Sequence, residues 1–249
     1  AVGNLENTDV LVTSSSRGPA SDGRIKPDIC TNGGSQRSTD QDNTFQVGSG
    51  TSAACPGAAG TISQIYQAYK ELTGQSNPPS GLIKACVLNS AEDLGNAGPD
   101  FKFGWGRINA FRAVTTLEDH KYFLDSIAQG QTKTHNINVP FGVRQLRVML
   151  YWHDIAGSPT AAKALVNDLN LQLTDPLSAI INPWVLNPTP NTTALNTPAI
   201  RGIDTLNNVE QVTIDNPDSG SYIINVNGIQ VPLGNKNYSS LLFVVKNSR

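Results

Sequence analysis

The residues best suited to chemistry stand in one short run, GSGTSAACPG, over residues 48–57. Gly48 and Gly50 permit a tight backbone approach, and Pro56 suits the opening of a helix because it has no N–H to lose there. Ser52 then falls in a first helical turn, where unpaired N–H groups and the positive end of the helix dipole surround its hydroxyl. Such a position stabilises negative charge developing on a bound carbonyl oxygen, as acyl transfer to a serine requires. The same residues also describe an ordinary N-capping serine. A nucleophile further needs a base, and the base needs a group to orient it.

The candidates for that base are few. His120, His135 and His153 are the three histidines, and all follow Ser52 in the chain. They fall at an expected domain junction or within expected strands, where packing or exposure is the default role. Asp154, Asn167, Asp168, Asp204, Asn208 and Glu210 fall at expected strand ends or turns. Oxygen donors so placed suit a structural calcium ion, with Asp154, Asp168 and Asp204 as its carboxylates, or they cap turn backbone. Cys30, Cys55 and Cys86 are too few for a disulfide framework and read as buried thiols, with a Cys55–Cys86 bridge as the alternative. No CxxC or close histidine pair suggests zinc.

Two periodicities divide the elements that must position these groups. From Pro56 to Leu72, Ala58, Ala59, Ile62, Ile65, Tyr66, Tyr69 and Leu72 recur at helical steps, and Gly74 stops the helix. A second helix is expected in PSGLIKACVLNSA, with Leu82, Ile83, Cys86 and Leu88 facing in, and a third in RINAFRAVTTL. VLVTSS near the start alternates as a strand. Beyond residue 120 the period becomes two: Leu146, Val148, Leu150 and Trp152; Leu169, Leu171 and Leu173; Tyr222, Ile224 and Val226; Leu241, Phe243 and Val245. Residues 183–198, rich in proline, read as a long surface loop. Asn191, in an NTT triplet, is a glycosylation acceptor only if the source is eukaryotic.

The expected architecture is an α/β portion over residues 1–118, followed by an all-β sandwich over 119–249. The 249 residues are 38% hydrophobic and 15% charged, which suits packed domains rather than disorder. A net charge of −2 and a pI near 5.9 argue against nucleic acid or an anionic membrane as a main partner. No apolar run is long enough to cross a bilayer. The chain opens without a charged n-region or apolar h-region, and its first residues read like a domain interior.

GTSAACPG resembles the catalytic-serine block of subtilisin-like serine peptidases, with Gly50, Thr51 and Pro56 framing Ser52. SSRGPASDGRIKPDIC, ahead of it, is similar to the segment that precedes that block in the family. VLNSAEDLG and FGWGRINAFRAV, after it, resemble the family's closing helix and turn. Gly57 stands where many members have histidine, and CTNG follows the KPD segment where many have APG. The family's Asp-[ST]-Gly block and its His-Gly-[ST]-His block, which precede its serine, are both read as absent.

The resemblance implies a partial subtilisin-like parallel-sheet domain and a serine endopeptidase that acts through an acyl-enzyme on Ser52. Polypeptide is then the substrate, no cofactor is required for the chemistry, and the location is outside the cell. It further implies that the aspartate, the histidine and other front parts of the domain must be supplied to this chain, which by itself is expected inactive. RVMLYWHDIAGSPTAAKALVNDLNLQLTDP and residues 207–226 resemble the jelly-roll-like β-sandwich attached to some members. A reading of another class makes that sandwich a non-catalytic module binding carbohydrate or protein, on a vestigial peptidase scaffold.

Overall fold

The computed structural model describes residues 1–246, with side-chain surroundings through residue 238. Contacts divide the chain into two units, neither continuous in sequence. One comprises residues 1–77, 90–114 and 186–199; the other comprises 78–89, 115–185 and 200–249. The division therefore departs from a single cut between residues 118 and 119. Residues 78–89 group with the β-rich unit, and 186–199 with the first.

In the first unit β1 (Val2–Leu5) and β2 (Ile29–Asn32) pair in parallel, Gly3 opposite Cys30. Residues 106–108 run along the other side of β2. Cys30 N–H donates to the Gly106 carbonyl at 2.8 Å, and Ile108 N–H donates to the Cys30 carbonyl at 3.0 Å. Gly106 sits at φ +112, and a Cβ there would stand 2.0 Å from the Glu92 carbonyl oxygen, so the FGWGR turn needs glycine at that point. β3 (Gln36–Thr39) and β4 (Phe45–Gly48) form an antiparallel hairpin leading into α1 (Thr51–Thr73).

Helix α1 packs on β1 and β2 through Ala54, Ala58, Ile65 and Tyr69. The buried stripe is narrower than the periodicity predicts. Ala59 and Leu72 are exposed, and Ile62 and Tyr66 are half-buried. A two-stranded support covers only one row of side chains. VLVTSS forms no strand; Leu11 makes a single bridge to Leu5. Within residues 183–198 the structure places a short helix, α4 (Thr192–Asn196), capped by Asn191 Oδ1, which accepts from Ala194 N–H at 2.8 Å. Periodicity cannot reveal a one-turn helix built by its cap.

Helix α2 (Ser80–Asn89) belongs to the second unit, and α3 (Ala110–Glu118) leads into its strands. The strands are β5 (Tyr122–Ile127), β6 (Thr132–Val139), β7 (Val143–Trp152), β8 (Asp168–Thr174), β9 (Ile180–Ile181), β10 (Trp184–Val185), β11 (Ile200–Arg201), β12 (Val209–Asp215), β13 (Gly220–Gln230) and β14 (Lys236–Lys246). They make two four-stranded sheets in the orders β12-β7-β14-β5 and β6-β13-β8-β9, with a small β10-β11 pair. Every pairing in them is antiparallel. One buried cluster draws on both large sheets, including Leu146, Val148 and Leu150 from one and Leu171, Leu173 and Ile224 from the other.

The period-two reading places Leu169, Leu171, Leu173, Tyr222, Ile224 and Val226 correctly in that core. The side chains of Leu241, Phe243 and Val245 lie outside the described residues. On β7 the alternation fails: Arg147, Met149 and Tyr151 are buried as well. The reason is α2, which packs on β7 and β14 and covers the second face. Gln211 Nε2 of β12 donates to Asn89 Oδ1 of α2 at 2.9 Å. A helix facing such a surface is buried nearly all round, and only Ser80 and Lys84 of α2 are not.

Candidate active site around Ser52

Ser52 is the second residue of α1 and is exposed. Gly50, the residue before the helix, has φ +126 and no side chain to cap with, so the chain enters α1 through a backbone state that a side chain would strain. Gly48 has open space around it and no such need. Ala53 and Ala54 N–H both donate to the Gly50 carbonyl at 3.0 Å. The N–H groups of Thr51 and Ser52 precede the helical ladder and have no acceptor within it. Donors, dipole and an exposed hydroxyl thus meet at one point, which is the arrangement that receives a developing oxyanion.

Pro56 does not open the helix as the sequence suggests. It stands inside, five residues after the start. The missing N–H is the one that would have reached the Ser52 carbonyl.

The floor of this turn is tightly built. Gly50 N–H donates to the Gly33 carbonyl at 3.0 Å, and Thr31 Oγ1 donates to the Ala54 carbonyl at 2.6 Å. A Cβ on Gly33 would stand 2.5 Å from the Gly50 carbonyl oxygen and 2.6 Å from both Ala54 N and Asn4 Oδ1. Asn4 is fully buried, its own N–H donating to Ser15 Oγ at 3.0 Å. Its side-chain oxygen and nitrogen have no partner among the described residues. In the sequence Asn4 stands among neighbours that read as a strand and turn, so it receives no role there.

Among the described residues no hydrogen bond reaches the Ser52 side chain. His135 Nε2 lies 2.9 Å from Tyr238 Oη, and its ring stacks on Phe123 at 4.4 Å. His153 pairs with Ser80, and His120 sits in the turn after α3 with φ +49. Burial pushes both His135 and His153 below the ordinary imidazole value. A literal Asp-Ser-Gly does occur at 218–220, at the opening of β13, where the Asp218 carbonyl accepts from Tyr222 Oη at 3.0 Å.

Two of the three aspartates expected to hold calcium accept from backbone N–H groups and a neighbouring asparagine. Asp154 accepts from Val166 N–H, Asn167 N–H and Asn167 Nδ2, and Asp204 from Leu206 N–H, Asn207 N–H and Asn207 Nδ2. Asp168 has Lys163 Nζ at 3.5 Å. Among the described residues no three His, Cys, Asp or Glu side chains are grouped to hold a metal ion. The turn-capping role therefore accounts for Asp154 and Asp204. Among the carboxylates of the β-rich unit, Asp168 Oδ1 and Glu210 Oε1 are buried with no hydrogen-bond partner among the described residues. All three thiols are free, and Cys30 and Cys86 are buried as expected; Cys55 departs from the expectation in being exposed.

Residues 1–106 match the peptidase S8 family, described as the subtilase family. That segment resembles subtilases. It contains Ser52, the Gly33 floor and Gly106. Over 90% of its length the chain is 26% identical to a serine protease/ABC transporter B family protein, tagA, of Dictyostelium discoideum, and spans 15% of that protein. Over 48% of its length it is 32% identical to the mouse membrane-bound transcription factor site-1 protease, spanning 12% of it. Over 29% of its length the chain is also 32% identical to the Neisseria meningitidis autotransporter lipoprotein NalP, spanning 6% of it. A solved lanthipeptide protease aligns with 46% of the chain and 40% of its own length, at 20% identity and a TM-score of 0.38. Among the described residues no helix is long and apolar enough to cross a membrane.

Proposed function

We propose that this chain carries the nucleophile of a subtilisin-like serine endopeptidase. Ser52 attacks the scissile carbonyl of a polypeptide, and the first-turn N–H groups of α1 steady the oxyanion. The base and its orienting carboxylate come from outside residues 1–249, so the chain alone does not hydrolyse peptides. The observation that carries this reading is the exposed Ser52 in the first turn of α1, directly after positive-φ Gly50, inside a subtilase-like segment.

The two four-stranded sheets, with their shared core, support a jelly-roll-like β-sandwich accessory to that chemistry. Extracellular action is part of the same proposal. A structural calcium ion is the remaining proposal for the β-rich unit; its support is limited to the leftover oxygens of Asp168 and Glu210, and no catalytic step depends on it. Calcium titration followed by melting decides it, an unmoved midpoint counting against the ion.

The test of the nucleophile is labelling by a fluorophosphonate probe with mapping of the adduct. A longer protein that includes the segments ahead of residue 1 should be labelled at Ser52, and its Ser52→Ala variant should lose that adduct. Absence of a Ser52 adduct in the longer protein would sink the proposal.

A further inference from the structure

A second serine stands in hydrogen-bonding geometry with a histidine, wholly within the β-rich unit. Ser80 opens α2, and its Oγ lies 3.0 Å from Nε2 of His153, just beyond the end of β7. On the far side of the ring, Nδ1 faces Tyr151 Oη at 3.4 Å, the two rings meeting edge to face. All three residues line a cavity of about 570 Å³ whose wall also includes Asp125 and Asn237.

The surroundings set the charge of the ring, and the tautomer sets which nitrogen accepts. Burial, then Lys84 and Lys236, press His153 below the ordinary imidazole value, so the ring is neutral near pH 7. With the ring proton on Nδ1, directed at the Tyr151 oxygen, Nε2 is left to accept from Ser80. Nucleophile, base and orienter then stand in line.

Two further features favour chemistry at Ser80. The first N–H of α2 with a partner in the ladder is that of Ile83, donating to the Pro79 carbonyl at 3.2 Å. The N–H groups of Gly81 and Leu82 precede it and have no acceptor within the helix. Gly81 is buried, and a Cβ there would stand 3.3 Å from His153 Cδ2 and 3.5 Å from Tyr151 Cε1. Glycine lets the imidazole lie close against the helix opening, beside free donors adjacent to the serine.

We propose that Ser80 and His153 form a second nucleophile–base pair, independent of Ser52, that accepts acyl groups from small activated carboxylic esters. Ser80 Oγ bonds to the acyl carbon while its proton passes to His153 Nε2. The ester C–O bond breaks, and the departing alkoxide takes that proton. Water then attacks the acyl-serine with His153 as base, releasing the carboxylic acid and restoring Ser80.

The test uses the whole 249-residue chain carrying Ser52→Ala and a fluorophosphonate probe. Here the Ser80 oxygen bonds to phosphorus, fluoride leaves, and the proton passes through His153 to solvent. Peptide mapping should place the adduct on Ser80. Because a positioned base contributes about 10²–10⁴-fold, His153→Gln should slow labelling about 100-fold or more, and Gly81→Ala, which crowds the ring, should slow it too. Cooperative melting of each variant checks that it is folded. An unlabelled Ser80, or a Ser80 labelled at the same rate in folded His153→Gln, overturns the proposal. Either result leaves the Ser52 assignment untouched, since the adducts map to different peptides.

Discussion

Pro56 stands four residues after Ser52 within α1, so the N–H that would bond the Ser52 carbonyl does not exist. The pyrrolidine ring also crowds that carbonyl. The turn bearing the exposed serine is thus less tied to the helix than the turns that follow.

Replacing Pro56 with alanine should restore the missing bond. Proline inside a helix costs about 3 kcal/mol relative to alanine, and part of that is already relieved here by relaxation. A gain of about 1–3 kcal/mol is expected, read as a midpoint about 3–10 °C higher. An unchanged midpoint would mean that the first turn has already given up its helical geometry.

Gly33→Ala should act in the opposite direction. The added methyl meets the backbone of Gly50 and Ala54 at 2.5 and 2.6 Å, where no flexible side chain can yield. Overpacking of this kind costs about 1–3 kcal/mol. A lower melting midpoint is expected, together with slower Ser52 labelling in the longer protein. Wild-type behaviour in both would show that the floor beneath α1 is looser than it looks.

The acidic residues of the β-rich unit give a pH dependence. Glu210 is almost fully buried; Oε2 accepts from Leu171 N–H at 2.6 Å, and Oε1 has no partner among the described residues. Burial, with Asp204 and Asp168 nearby, raises its pKa well above the ordinary glutamate value. The folded chain then holds a proton that the unfolded chain has lost. This contribution to stability is complete below the unfolded pKa and declines as pH rises towards the folded one. Measured with a chelator present, Glu210→Gln should raise the midpoint by several degrees at about pH 8 and little at about pH 5. An equal effect at both values would rule out the titration.

Thiol reactivity should follow exposure. Burial pushes Cys30 up to about 12, and Cys86 is raised by burial too. One thiol, Cys55, should react with a water-soluble disulfide reagent in the native chain, and all three after unfolding. Rapid native reaction of Cys30 or Cys86 would show that one of the units opens readily.

Several features were legible in the sequence because they depend on local rules. The serine in a first turn, the glycine before it and the α1 stop at Gly74 follow from backbone preference and capping. The inward rows of β8 and β13 follow from period two, since each strand keeps one face on the core. The three subtilase-like blocks were visible for the same reason: each is a short run whose residues act together.

Other features required groups distant in sequence to meet. Both faces of β7 are buried because α2, some sixty residues earlier, lies over it, and no period within β7 reports a helix elsewhere. Asn4 and Gly33 become neighbours only when β1 pairs with β2. The N–H groups that Asp154 and Asp204 accept from came within reach only as the turns folded, and local composition could not name them. Ser80 and His153, 73 residues apart, carry no motif in the chain. Sequence determined which elements form and where a nucleophile could stand; tertiary packing decided which side chains lost water, found partners or were left without them.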